Sequence, residues 1–358
     1  MDAELDARVS TLIRQRFSAA ARLRQLTPLA GDASTRRYAR ATLDGTGTPP
    51  TAVVMILADR GIAMSSDELA VFAEQPRELP YVNVHRFLAA LGVAIPELYV
   101  DASDRGLLLL EDIGDVALWD AVQQRPDEEV VRLFAQAIDQ LLIIQLAGTR
   151  QPDPTCLAFQ QAFDERLFLW EFEHFIEHGL VKRMAAPVPD SELALLREHF
   201  TAMARFLDSQ PRVLNHRDFH SWNLFVHQGR VRVLDFQDAL LAAAPYDLAT
   251  LLGDRDTPTV IRPALERQLL DYYRREWAAH GGPAWREAEL WDVYAACALQ
   301  KAFKVVGRFY YLANEKGKRG YLRYLPSTLR QIARLLDHRP DWADARRVLG
   351  QYFPELRA

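Results

Sequence analysis

The apolar periodicity of this 358-residue chain changes once, near residue 111. Before that point short apolar runs stand between clusters of turn formers: 26–30, 36–43 and 51–57 are separated by GDAST and DGTGTPP. They predict a three-strand antiparallel meander, preceded by an amphipathic helix over 5–17. A helix over 82–91 closes at Gly92, with Pro96 beyond it, and two more extended runs, 97–101 and 106–110, flank a turn. From Asp115 the spacing becomes helical. Val131, Phe134, Ile138, Leu141 and Leu142 mark a helix over 128–147, and others are expected over 163–178, 192–207, 262–279, 285–311 and 321–336. One interruption lies over 213–234, where 224–226 and 231–234 read as a small hairpin across Gln228-Gly229. Strands segregated from helices in this way give an α+β class.

Composition narrows the function. Apolar residues make up 49% and charged residues 25%, enough for a large core. Basic and acidic residues number 43 and 48, a net charge of −5, which excludes a bulk electrostatic binder of nucleic acid or anionic membrane. The longest apolar run, 141–147, is broken by Gln145 and falls short of the roughly 18 residues of a membrane span. Cys156 and Cys297 cannot alone build a disulfide framework or a zinc site. The expectation is a cytoplasmic protein with a small-molecule partner. Only five of the basic residues are lysine (182, 301, 304, 316 and 318), so no mechanism can use a lysine from the first half.

The segment LNHRDFHSWNLF, followed by VRVLDFQDA, carries the chemistry. His216, Asp218 and Asn223 form H-x-D-x-x-x-x-N, and Asp235 ends a short strand pattern. Phosphoryl transfer needs a carboxylate that accepts the attacking hydroxyl's hydrogen bond and proton, for which Asp218 is placed. It needs a second carboxylate, Asp235, and a neutral oxygen, Asn223, to hold Mg2+ without excess negative charge. HRDFHSWN and LDFQDA, with PYDLATLL downstream, resemble the aminoglycoside phosphotransferase superfamily, a branch of the protein-kinase-like fold. GDASTRRYAR and VVMIL further resemble the bacterial anomeric kinases of N-acetylmuramate and N-acetylglucosamine.

This resemblance implies a bilobal fold, with a small antiparallel-sheet nucleotide-binding lobe over 1–110, a hinge over 111–114 and a larger, mainly helical catalytic and substrate lobe over 115–358. It implies ATP and Mg2+ as cofactors and the C1 hydroxyl of an amino sugar, met in cell-wall sugar recycling, as acceptor. The loop GDASTRR would cover the triphosphate through Gly31, Ala33, Ser34 and Thr35, with Arg36 or Arg37 adding charge. Period two forbids both arginines from facing the ligand, and Arg37 is the choice made. Glu111 and Ile113 would meet adenine through their main chains. One departure stands out: the third strand has Met55 where the wider kinase pattern carries lysine, and 82–91 offers no glutamate to pair with it.

On the acceptor side Gln300, Lys304 and Arg308 recur at spacing four on one helix face, with His220 and Asp238 as neighbours of the catalytic segment. A basic wall of this kind suits a sugar bearing a carboxylate. His216 and Asp247 are expected to be structural. Competing readings are a kinase of a choline-, homoserine- or aminoglycoside-like alcohol, or a nucleotide-binding regulatory module without catalysis.

Overall fold

The structure is a computed structural model that describes residues 3–29, 36–57, 78–184 and 186–357. Five strands form one antiparallel sheet in the order β1-β2-β3-β5-β4: β1 (Arg22–Leu29), β2 (Arg37–Asp44), β3 (Thr51–Ile56), β4 (Leu98–Ala102) and β5 (Leu107–Glu111). The runs VVMIL and LLLL are apolar at every position because β3 and β5 are covered on both faces. Ala52, Val54, Ile56, Leu107 and Leu109 join Ala39, Ala41 and Leu43 of β2 under helix α1 (Ala3–Arg16), which supplies Val9, Leu12 and Ile13. The alternate residues Met55, Leu108 and Leu110 belong instead to the larger core on the opposite side. Register fixes this division, with Tyr38 opposite Met55 and Met55 opposite Leu108. Helix α2 (Pro80–Ala90), begun by a proline at its first turn, lies between β3 and β4 in the chain.

The remaining chain is mainly helical: α3 (Leu118–Ala121), α4 (Asp127–Leu142), α5 (Gly148–Arg150), α6 (Glu165–His174), α7 (Asp190–Asp208), α8 (Pro245–Gly253), α9 (Thr257–Val260), α10 (Pro263–Ala279), α11 (Glu287–Asn314), α12 (Leu325–Leu336) and α13 (Ala343–Tyr352). Asp164 caps α6, accepting from the Leu167 amide at 2.9 Å. The run Asp127–Arg150 is long and apolar enough to cross a membrane by length and composition, yet 56% of its apolar window is buried inside the protein. Two helices pass into π turns, Ile143–Ala147 and Phe175–Leu180. The first buries Gln145, which donates to the Ala244 carbonyl at 2.6 Å and to Asn215 at 3.1 Å. The second lies against Gly307 of α11, where a Cβ would meet the Phe175 Cα at 2.7 Å.

Two small antiparallel pairs hold the centre: β6 (Arg212–Asn215) with β9 (Leu240–Ala243), and the hairpin β7 (Leu224–His227) with β8 (Arg230–Val233). Gln228 and Gly229 both take positive φ, 51° and 76°, as a two-residue hairpin turn requires. The expected helix over 321–336 instead starts as a 3-10 turn (Arg319–Tyr324), and α12 proper begins at Leu325 with Pro326 in its first turn. Strand β9 and helix α13 had no counterpart among the expectations, because LLAA alternates nothing and α13 is short.

Candidate active site

The segment after β6 is held from below before it reaches the cleft. His216 donates its main-chain N–H to the buried carboxylate of Asp247, and its Nε2 meets the Leu234 carbonyl at 2.8 Å. Arg217 then takes φ 80° and Asp235, after β8, takes φ 62°. Non-glycine residues rarely occupy this region, and here one precedes Asp218 and the other is Asp235 itself. Asn223 closes the turn: its Nδ2 donates to the Asp218 carbonyl at 3.0 Å and to Asp235 Oδ2 at 3.4 Å, while its main chain accepts from Leu234 at 2.9 Å. Asp218, Asn223 and Asp235 thus line one cleft of about 780 Å3.

Burial alone would raise the Asp218 carboxyl, but Lys301, then Lys304, Arg217 and His220, outweigh it and hold the group well below the usual carboxylate range. Lys301 is the direct partner. Its Nζ lies 2.8 Å from Asp218 Oδ1 and 3.3 Å from the Arg217 carbonyl, with only 4% of the residue exposed. The same environment acts oppositely on the neighbours. His220 is lowered to about 4, chiefly by burial and then by Arg255, so it is neutral at pH 7. Asp247 is raised to about 7 by burial, against the amides that bond it. Asp238 is raised by burial and by the charges of Asp235 and Asp218.

Asn223 and Asp235 can hold a magnesium ion. With Asn223 Nδ2 spent inside the loop, its Oδ1 joins the Asp235 carboxylate and the buried Gln237 Oε1, which no described residue bonds, as oxygen donors on the cleft. Among the described residues no group of three or more His, Cys, Asp or Glu could hold a metal ion alone. That suits magnesium, which is commonly held by one or two protein oxygens together with nucleotide phosphates.

An apolar patch of the cleft wall is made by Leu29, Val53, Met55 and Leu110 of the sheet together with Phe225 of β7 and Leu234. Gly31, Ala33, Ser34 and Thr35 lie outside the described residues. The arginine choice is corrected. Residues 36, 38 and 40 share the cleft face of β2 by its period of two, and Arg36 is 7% exposed on the cleft wall; Arg37 is exposed and off it. Where kinases pair lysine with glutamate, Met55 and Tyr81 of α2 line the cleft. Glu111 and Ile113 both line it, but the Glu111 amide already donates to the Glu97 carbonyl at 2.8 Å and its carboxylate is bonded by Arg232 at 2.5 Å. Arg40 of β2 ties down the following turn, reaching Asp112 at 2.6 Å and Asp115 at 2.7 Å.

The acceptor side divides the expected residues. His220, Asp238, Lys304 and Arg308 line the cleft. Gln300 is corrected: it is fully buried beneath the wall and donates to Glu171 at 2.6 Å, because the face that carries it turns into the core one helical turn before Lys304. Lys304 is itself paired with buried Glu171 at 2.7 Å. The spacing of seven from Arg308 puts Lys301 close to this face, and the structure brings it to the wall; Arg255 is the wall residue that sequence reasoning missed. The lysine scarcity was a second signal for Lys301.

The description "Phosphotransferase enzyme family" matches residues 25–302. The chain belongs to this family. Two relatives are each named N-acetylmuramate/N-acetylglucosamine kinase: one from Pseudomonas putida, 28% identical with 99% of this chain and 95% of that protein covered, and one from Pseudomonas aeruginosa, 28% identical with 91% and 88% covered. Solved structures share the fold: a streptomycin-ATP-APH(2")-IIa ternary complex (TM-score 0.58, 15% identity, 92% and 98% covered) and a choline/ethanolamine kinase family protein from Mesorhizobium loti (TM-score 0.55, 16% identity, 91% and 92% covered). The family member is therefore a phosphotransferase of bilobal, kinase-like α+β architecture, and the regulatory-module reading loses its ground.

Proposed function

We propose that this phosphotransferase transfers the γ-phosphoryl group of Mg2+-bound ATP to the anomeric C1 hydroxyl of N-acetylmuramate or N-acetylglucosamine. The observation that carries the reading is the convergence of Asp218, Asn223 and Asp235 on one cleft that also holds an apolar patch, Val53, Met55, Leu110 and Phe225, and the basic residues Lys301, Lys304 and Arg308 of α11. Adenine would lie against Val53, Met55, Leu110 and Phe225, between a sheet lobe over 1–110 and a helical lobe after the 111–114 hinge. Arg36 would meet phosphate in place of the absent lysine. Magnesium held by Asn223 and Asp235 would neutralise charge on the phosphates and the group in flight.

Asp218 receives the hydrogen bond of the C1 hydroxyl, whose oxygen forms the new bond to phosphorus as the bond to ADP breaks. The hydroxyl proton passes to the Asp218 carboxylate. Because Lys301 keeps that carboxylate strongly acidic, it orients the hydroxyl more than it pulls the proton. The names of the Pseudomonas relatives and the basic wall support the sugar acceptor, and a cytoplasmic setting accompanies it. A polycationic aminoglycoside is disfavoured by that wall. A quaternary ammonium is disfavoured too, since Arg255 already lies over the Trp222 ring, 4.8 Å from its centroid.

The test is ADP release from the whole protein with ATP, Mg2+ and each of N-acetylmuramate, N-acetylglucosamine, choline and an aminoglycoside. Turnover with the two amino sugars alone is expected. Turnover confined to choline or the aminoglycoside would overturn the reading.

A further inference from the structure

We propose that Arg255 recognises a carboxylate on the acceptor and thereby sets the preference for N-acetylmuramate over N-acetylglucosamine. This rests on the amino-sugar reading above and deepens it. The two sugars differ by a lactyl ether at C3 that ends in a carboxylate, so a single well-placed cation can discriminate between them.

The cations of the acceptor wall are not equivalent. Lys301 is held by Asp218 at 2.8 Å, and Lys304 by buried Glu171 at 2.7 Å. Lys304, turned to a ligand, would abandon a buried carboxylate, a costly exchange, and Lys301 would give up its ion pair with Asp218. Arg308 lies over the Tyr311 ring, its Cζ 5.2 Å from the centroid. Arg255 differs. It follows α8 with φ 52°, and its guanidinium lies against a cluster of aromatic rings, 4.8 Å from the Trp222 centroid, 5.7 Å from Tyr324 and 6.0 Å from Tyr321. Its one ion pair runs from Nε to Asp254 Oδ2 at 3.4 Å, and it forms no hydrogen bond to a described residue.

A planar fork held against aromatic rings, with neither Nη hydrogen-bonded to a described residue, is what two-pronged carboxylate recognition requires. Arg255 also stands in the right place. It lines the catalytic cleft with Asp218, and through Trp222 it borders a second cavity of about 450 Å3 lined by Lys318, Tyr321, Arg323 and Tyr324. A substituent leaving the sugar toward Arg255 therefore meets a positive, open wall. His220 lies between the two sites: its main-chain N–H donates to the Asp218 carbonyl at 2.9 Å, and its ring packs edge-on to Trp222 with centroids 6.0 Å apart. Its buried Nδ1, bonded by no described residue, is a neutral group for a sugar hydroxyl or acetamido.

The experiment compares Arg255→Gln and Arg255→Lys with the wild type, measuring kcat and KM for both sugars. For Arg255→Gln, KM for N-acetylmuramate should rise about tenfold to a hundredfold, as loss of a charged hydrogen-bond pair implies, with N-acetylglucosamine changed less than about threefold. Arg255→Lys should recover only part, since a point charge cannot present the fork. An equal loss for both sugars, or no change for either, overturns the proposal alone. A wild type inactive on both overturns the amino-sugar reading and this proposal with it; turnover of N-acetylglucosamine by the variant shows that it is folded.

Discussion

Burial and charge act in opposite directions on Asp218, and Lys301 decides the sign. Replacing it with methionine removes the largest of the opposing charges, so the carboxyl rises toward its ordinary value. The wild type keeps Asp218 ionised into acid, and its kcat should stay level between about pH 8 and about pH 5 as far as this group is concerned. Lys301→Met should begin to lose turnover at a higher pH than the wild type as pH falls, and Lys301→Arg should largely restore the profile. A flat profile in Lys301→Met, measured as kcat against pH, would show that Lys301 is structural only. Asp218, Asn223 and Asp235 were legible in the sequence because their spacing is local: one loop and one hairpin bring them together. The spacing put Lys301 near the acceptor face but not against Asp218, since it reaches that carboxylate from 83 residues away, and no local pattern records which lysine a distant helix delivers. Gln300 failed for a related reason. Spacing four defines a helix face but not how far round that face the core extends.

Strand β2 shows how one residue of phase decides a role. Arg36, Tyr38 and Arg40 line the cleft while Arg37 does not, an outcome that alternation permits but does not choose until the register with β3 is known. Arg36→Ala should raise KM for ATP about tenfold, the worth of one charge-assisted hydrogen bond, whereas Arg37→Ala should leave it unchanged. Initial rates at varied ATP distinguish the two, and the reverse order would contradict the assignment. Among the helices, Gly307 allows α11 to lie against the π turn after α6, and α11 carries Lys301 and Lys304 to the cleft. A methyl group there would meet the Phe175 backbone at 2.7 Å, with no flexible side chain to give way. Gly307→Ala should therefore cost about 1–3 kcal/mol in denaturant unfolding and lower kcat by shifting both lysines. An unchanged midpoint would refute this. The period switch near residue 111 made the main elements legible. Strand β9 was hidden because its pairing with β6 is tertiary, and the π turns because packing, not periodicity, imposes them.

For the molecule as a whole, the net charge of −5 conceals its division of labour. The cleft is lined by carboxylates as well as cations, but Lys301, Lys304 and Arg308 of α11 are grouped with Arg255 on one wall, so an acidic protein still offers anionic groups a basic stretch. The lysine shortage takes physical form here: the first half supplies no phosphate-anchoring lysine, and two of the five in the chain meet at the wall beside Asp218. The decisive measurement follows the phosphoryl group itself. With N-acetylmuramate, Mg2+ and ATP, the wild type should form ADP and one sugar phosphate in equal amounts, and that phosphate should be acid-labile as a C1 ester is. Asp218→Asn should lower the rate by about 10²–10⁴-fold while still binding ATP. An acid-stable sugar phosphate, or wild-type turnover in Asp218→Asn, would contradict the account.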